Sequence, residues 1–342
     1  MSYPKPLSEK SLCRLYAEAG LNEGQIRFLH DFFAACANLY GVITAEDAWD
    51  VYRELSTKAE TPKLHRRDMY AALGILRREP VSYYVFEADE VYTEEPRADK
   101  LRIVVLREIV PQRYGRFWDL YHILEASCGK PFFVPVNFLE YVTMPESKDE
   151  QELLALLGNL KATRSEYKDE CGHTHLCKYQ GKYLKDFSFI GADEEFELSR
   201  LRGELEGFKG NQKKAEEYEK EINSITADRY LVTGLKWRNS IGYFSPAKSI
   251  EYFFDSLTEM GVVLPSEKQA DKLLSVINSM NNNQHLWCNH GWTPNELSAH
   301  LSGSAQPTLL FGSGIQDAFA NGSMERAELE RKLKEMGIEV LK

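Results

Sequence analysis

The sequence lacks the motifs that mark common catalytic and nucleotide-binding sites. It contains no phosphate-binding loop, no G-x-G-x-x-G after a strand-like run, no H-E-x-x-H and no G-x-S-x-G. Carboxylates are abundant, but their spacing does not single out a catalytic pair. We therefore predict a non-enzymatic protein with no catalytic residues and no cofactor.

The sequence also lacks a net positive charge and long apolar runs. The formal net charge is −10, which disfavours nucleic acid and anionic membrane surfaces as partners. No run approaches the ~20 apolar residues of a membrane-spanning helix, and the amino-terminal segment lacks the apolar core of a signal peptide. The 6 cysteines are scattered and form no dense disulfide framework. These features predict a cytoplasmic protein with no membrane partner.

Apolar and aromatic residues are present in the amounts that packed cores require. They make up 43% and 12% of the 342 residues, and aromatic side chains supply core packing or adhesive surfaces. Helical periodicity dominates, so the predicted fold class is mainly α with a small β component (α+β). We divide the chain into a winged-helix-like module (1–112), a helical connector (113–165), a charged helical arm with a Cys/His loop (166–224), a C-terminal helical module or bundle (225–301), and a linker and tail (302–342).

The first module is predicted to contain three helices followed by two strand-like runs, Val81–Phe86 and Leu101–Val110. That order is typical of a winged helix. In a DNA-binding version the third helix would present Arg66 and Arg67 to the groove. The alternative is a module used for packing or protein contact. The acidic stretch Glu87–Glu95 favours the alternative, because it would repel phosphate at the hairpin tip.

The middle of the chain offers one candidate metal site. Cys171, His173, His175 and Cys177 are ligand types that zinc prefers, but no Cys-x-x-Cys pair is present. We favour a polar surface loop and keep zinc binding as an alternative.

The charge-dense residues 194–223 predict an exposed helix or two helices joined near Gly210, with a partner-binding arm as the alternative.

The stretch from Asn281 to His300 is the richest in functional side chains. Its candidate binding residues could line a ligand groove, hold a metal or act in acid–base chemistry. The architectural interpretation explains more of the pattern: a glycine turn, a helix cap at Thr293, asparagines that satisfy backbone groups and tryptophans that pack the junction. The candidate binding residues are Trp287, Asn289, His290 and Trp292.

Several short motifs in this order resemble one family. They are Asn282-Asn283, Trp287-Cys-Asn289, Gly291, Thr293–Leu297, Ala37–Ile43, and Gly129–Pro135 followed by Tyr141. Together they resemble uncharacterised bacterial proteins, mainly from Firmicutes, labelled SEC-C or YecA-like. Many of those proteins end in a SEC-C zinc motif, whereas residues 301–342 contain neither cysteine nor histidine. His285 also stands where the family has arginine. The resemblance implies a fold and no established enzymatic activity.

The leading functional prediction is an adaptor that binds another protein. Its acidic charge, its aromatic content and the missing catalytic motifs all favour this interpretation. A DNA-binding regulator and a zinc-binding protein are the alternatives.

Overall fold

The computed structural model describes residues 3–91, 102–110, 117–164, 166–168, 174–179, 182–242 and 244–304. The chain divides into two compact units, Met1–Pro294 and Asn295–Lys342, and each is described by itself. Helices dominate the described residues and accompany two three-stranded antiparallel sheets, so the predicted fold class is confirmed. Across these residues, no helix combines the length and apolar character needed to cross a membrane.

The amino-terminal part of the first unit combines helices with a small sheet. Side chains cap two of its helices at their starts: Ser8 accepts from the Ser11 amide and Thr44 from the Asp47 amide. Its elements are α1 (Glu9–Glu18), α2 (Glu23–Tyr40), β1 (Val42–Thr44), α3 (Ala45–Lys58), α4 (Arg66–Leu76), β2 (Tyr83–Glu87), α5 (Ala88–Val91) and β3 (Arg102–Leu106).

The first sheet has the strand order β1-β3-β2. Val105 of the central strand lies opposite Val42 on one side and Tyr84 on the other. Strand β1 was not predicted, because three residues are too few to show an alternating pattern. Part of the acidic stretch forms α5 rather than a hairpin tip, and residues 92–95 lie outside the described residues. The identification as a winged helix stays a prediction.

The remainder of the first unit is mostly helical. Helix α7 ends at Gly158. A break at 203–211 separates two charged helices, in agreement with the predicted pair of helices joined near Gly210. The elements are α6 (Trp118–Ser127), a 3-10 helix (Phe138–Val142), α7 (Lys148–Gly158), β4 (Glu166–Lys168), β5 (Thr174–Tyr179), β6 (Phe187–Ile190), α8 (Ala192–Arg202), α9 (Gln212–Ser224), α10 (Ala227–Ile241), α11 (Pro246–Glu259) and α12 (Glu267–Asn283).

A second sheet, ordered β4-β5-β6, corrects the interpretation of residues 166–224 as a helical arm with a loop. Residues 174–177, expected in a polar loop, lie in β5. Helices α8 and α9 contribute Leu198 and Ile222 to a small core with Ile190 of β6. Because their apolar side chains are buried against the sheet, α8 and α9 do not form a free-standing arm.

Two larger cores organise the first unit. The first is rich in aromatic residues, including Phe32, Tyr40 and Phe138, and it also contains Trp287 from far along the chain. The second joins α7, α10, α11 and α12 through residues such as Leu157 and Ile277. The chain therefore passes from the second core back to the first just after α12.

The second unit contributes most of the final described helix, α13 (Pro294–Ser304). The part of the predicted linker and tail beyond residue 304 lies outside the described residues.

Candidate functional site

The tryptophan-rich stretch folds into a tight reversal after α12, and we call residues 285–292 the clasp. Trp287–Asn289 form one turn of 3-10 helix. His290 (φ 48°) and Gly291 (φ 81°) both have positive φ, and the Gly291 amide donates to the Leu286 carbonyl over 3.0 Å. The predicted glycine turn is therefore confirmed, and His290 joins it in a conformation that few residues other than glycine adopt.

Trp287 attaches the clasp to α2. Its side chain is 8% exposed, and its indole N–H donates to the Asn38 carbonyl 2.9 Å away. A Cβ at Gly41 (φ 70°) would lie 2.9 Å from the indole ring, so the backbone passes the ring at a distance that only glycine permits. Trp287 is therefore a core side chain whose indole N–H is hydrogen-bonded. The architectural interpretation predicted that the tryptophans pack the junction, and Trp287 does so.

The other side of the clasp holds the extended segment 130–133. The Phe133 amide donates to the His290 carbonyl over 3.0 Å, and the Trp292 indole donates to the Pro131 carbonyl over 3.0 Å. The Phe133 and Trp292 rings meet edge to face with centroids 4.9 Å apart, a favourable aromatic arrangement. Pro131 has no backbone N–H to donate within this segment, and the clasp supplies hydrogen-bond partners for its neighbours.

Lys130 binds across the clasp. Its ammonium donates to the Cys288 carbonyl (2.8 Å) and to Asn289 Oδ1 (2.9 Å). Burial lowers the pKa of Lys130 and raises the pKa of the Cys288 thiol, because a low dielectric disfavours each charged form. Nucleophilic and metal-binding cysteines act as thiolates, so Cys288 is suited to packing rather than to that chemistry.

His290 is held by one hydrogen bond and one stacked ring. Its Nδ1 lies 2.9 Å from the Lys130 carbonyl, which can only accept, so Nδ1 carries the proton. The imidazole stacks on Phe132 with centroids 4.0 Å apart. Burial lowers the pKa of His290, against an opposing contribution from the bond to Lys130. The ring therefore serves the fold as a neutral donor.

We expect the stability conferred by His290 to fall as the pH drops through about 6.5, its pKa in an unfolded chain. The folded protein lowers the His290 pKa, so in that window the unfolded chain binds more protons and unfolding becomes easier. Asparagine tolerates this backbone conformation and offers a side-chain N–H, which makes His290→Asn a matched variant. Urea unfolding should show similar stability for both proteins above pH 8 and a shallower acid-side decline for the variant. Parallel declines would show that His290 does not contribute.

His285 connects the clasp to the segment that follows 130–133. Its Nδ1 lies 2.6 Å from the Gly291 carbonyl and its Nε2 lies 3.1 Å from the Tyr141 hydroxyl. Since the carbonyl can only accept, Nδ1 carries a proton, and in that tautomer Nε2 can accept from the Tyr141 hydroxyl. Asn38 completes this region by donating to the carbonyls of Tyr141 (2.9 Å) and Val142 (2.8 Å).

The asparagines of the stretch act differently from the prediction. Asn281 and Asn289 bind side chains, those of Asn239 and Lys130, instead of satisfying backbone groups at a helix end. Sequence reasoning also missed Asn38, whose partners lie more than 100 residues away. No periodic pattern encodes such distant pairs. The only sequence signal of these contacts was that residues 37–43 and 129–135 carry motifs of the same family resemblance as the clasp.

Arg66 and Arg67, the candidate DNA-contacting residues, lie at the start of α4 beside carboxylates. The Arg66 guanidinium lies 2.5 Å from Glu46 Oε1, and that of Arg67 lies 3.5 Å from Asp68 Oδ1. In both ion pairs more than half of the arginine side chain is exposed to solvent. Each ion pair is therefore weak. The carboxylates nonetheless reduce the positive potential that a phosphate backbone would meet.

The candidate zinc ligands are only partly within the described residues. Cys171 and His173 lie outside them, and His175 and Cys177 lie in β5 with side chains that are not described. Zinc binding by this segment stays a prediction. Elsewhere in the described part of the chain, no three His, Cys, Asp or Glu side chains gather as they would around a metal ion.

No protein-family model, no curated protein and no solved structure matches the chain. The resemblance to SEC-C or YecA-like proteins therefore stays a prediction.

Proposed function

We propose that the chain is a non-enzymatic, protein-binding adaptor, and that residues 136–144 form its binding surface. The observation that carries this proposal is the exposure of three apolar side chains within nine residues. Val136 is 67% exposed, and Leu139 and Met144 are each 39% exposed. Clustered exposed apolar groups are characteristic of protein interaction sites.

The backbone beneath this surface is held at several points. The Tyr40 hydroxyl donates to the Phe133 carbonyl (2.8 Å) and the Lys58 ammonium to the Val134 carbonyl (2.8 Å). Phe138 lies fully buried in the aromatic core, between the exposed positions 136 and 139. A surface that is already ordered loses little conformational entropy when a partner binds. In this proposal the clasp is the scaffold of the binding surface.

Charge indicates what kind of partner this surface suits. Glu140 is exposed within the surface, Glu146 beside it is exposed and paired with Arg229, and the whole chain carries a formal net charge of −10. Opposite charges at an interface rim speed association and select partners. We therefore propose a protein partner that presents apolar side chains with basic residues at their edge.

The test is a paired substitution on the proposed surface. Val136→Asp with Leu139→Asp should weaken capture of a partner from the source cell at least about tenfold, because one central apolar contact is worth about 2 kcal/mol. The control is Val263→Asp, at a position that is equally exposed but follows α11. Circular dichroism should show both variants folded. If the partner binds both variants as tightly as the native protein, residues 136–144 are not the surface.

DNA binding is the second candidate, and one observation favours it. The order of α2, β1, α3, α4, β2 and β3, with strand order β1-β3-β2, supports the winged-helix prediction. The carboxylates beside Arg66 and Arg67 argue against it. We expect no salt-dependent DNA binding by the native chain. Binding that weakens with salt and falls when Arg66 and Arg67 both become alanine would favour the regulator instead.

Three further proposals concern the compartment, the family and zinc. We propose a reducing compartment such as the cytoplasm, because Cys13, Cys36, Cys128 and Cys288 are unpaired thiols. Membership of the SEC-C or YecA-like group rests on the sequence motifs alone. Zinc binding through Cys171, His173, His175 and Cys177 would be settled by elemental analysis of the purified chain.

A further inference from the structure

Three buried amide side chains outside the clasp belong to α10 (Asn239), to α12 (Asn281) and to the residue directly after α12 (Gln284). Asn239 and Asn281 are each 6% exposed and Gln284 is 8% exposed. Asn239 Nδ2 donates to Asn281 Oδ1 across the two helices. Gln284 caps the end of α12, three residues after Asn281, and helix geometry at that spacing places the two residues about one turn apart.

Four polar atoms of these amides have no hydrogen-bond partner among the described residues. They are Asn239 Oδ1, Asn281 Nδ2, Gln284 Nε2 and Gln284 Oε1. Folded proteins leave only a few buried polar groups per 100 residues unpaired, because a buried group without a partner has lost its water hydrogen bonds without replacement. Among the described residues, four of the seven such atoms belong to these three side chains.

Reorienting the amides does not remove the deficit. Rotating both asparagine amides by 180° exchanges donor and acceptor, so Asn281 would donate to Asn239, and one atom of each would again lack a partner. Gln284 is unpaired at both its oxygen and its nitrogen, so either orientation leaves one donor group and one acceptor. The region therefore needs something that both accepts from amide N–H groups and donates to amide oxygens.

We propose that Asn239, Asn281 and Gln284 form a buried site for an uncharged guest that both donates and accepts hydrogen bonds. All three side chains are neutral and do not titrate, so the site offers no counter-charge for an ion. Water and a small organic amide share the required chemistry. The site adds a bridge between α10 and α12 immediately before the chain enters the clasp.

The first test is a crystal structure of the native chain at a resolution that shows ordered water, combined with native mass spectrometry. Density within hydrogen-bond distance of Asn239 Oδ1 and Gln284, with no added mass, identifies the guest as water. Larger density with a matching mass increment identifies a small organic molecule. Both outcomes support the site. Direct pairing of the three amides with one another or with backbone groups, and no density between them, overturns it.

The second test compares two leucine substitutions in solution. Asn281→Leu removes one donor from the site, whereas Asn282→Leu makes the same change at the exposed neighbouring position. Oxygen-17 relaxation dispersion should detect a long-lived water in the native chain and in Asn282→Leu, with loss of that signal in Asn281→Leu. For an organic guest, the mass increment should follow the same pattern. A signal that survives in full in Asn281→Leu contradicts the proposal. If Asn281→Leu fails to fold, Gln284→Leu gives the same comparison.

Discussion

Replacing Gly41 by alanine should destabilise the first unit by about 2–5 kcal/mol. Gly41 has φ 70°, a conformation that strains any residue with a Cβ. The new Cβ would also lie 2.8 Å from Ile109 Cδ1 and 2.9 Å from Trp287, so core side chains on two sides would have to move. Urea unfolding followed by circular dichroism measures the loss.

Gly129 provides a matched control for this substitution. It has φ 76° but nothing within 4 Å of an added Cβ. Gly129→Ala should therefore show only the backbone strain, about 1–2 kcal/mol. The difference between the two variants isolates the close approach of Gly41 to its neighbours. Equal losses would mean that the contact with Trp287 contributes nothing to stability.

Replacing Trp287 by alanine should cost about 3–5 kcal/mol, the range for large aromatic residues in cores. The indole is buried and its N–H is bonded to the Asn38 carbonyl, so the variant loses packing and leaves a buried carbonyl without that donor. Trp287→Phe keeps most of the ring and should lose about 1–2 kcal/mol for the hydrogen bond and the smaller volume. Urea unfolding again gives both values.

Trp118→Ala is the control, because Trp118 is more than half exposed and exposed substitutions usually change stability by about 0.5 kcal/mol or less. The double variant Gly41→Ala with Trp287→Ala is more informative still. Removing the indole opens space beside the added methyl group, so the combined loss should be smaller than the sum of the two single losses. Strict additivity would contradict the packing of Trp287 against Gly41.

Local structure could be predicted where a few neighbouring residues determine it. Ser8, Thr44 and Ser266 mark helix starts through their own side chains, and Gly291 marks a turn. The second sheet was missed because β4 has only three residues and the segment around it is dominated by charged and Cys/His positions that suggested other structures. Short strands gain their stability from pairing with distant segments, which a local pattern does not contain.

The clasp was recognised only in part for the same reason. The architectural interpretation correctly placed Trp287 in a packed junction and the turn at Gly291. It did not identify what the clasp holds, because the partners of Trp287 and Phe133 are separated from them by about 150 residues or more of chain. Long-range hydrogen bonds to backbone carbonyls depend on the folded path of the chain and not on the identity of the accepting residue.

The central claim is that the clasp is a scaffold that orders residues 130–142, and hydrogen–deuterium exchange on Trp287→Ala tests it most directly. Exchange reports the local opening of backbone hydrogen bonds such as that from the Phe133 amide to the His290 carbonyl. Under conditions where the variant remains folded, peptides covering 130–142 and 285–292 should exchange faster together. Peptides from α11 in the second core should keep their native rates. If 130–142 stays as protected as in the native chain while 285–292 opens, the clasp does not support the proposed binding surface.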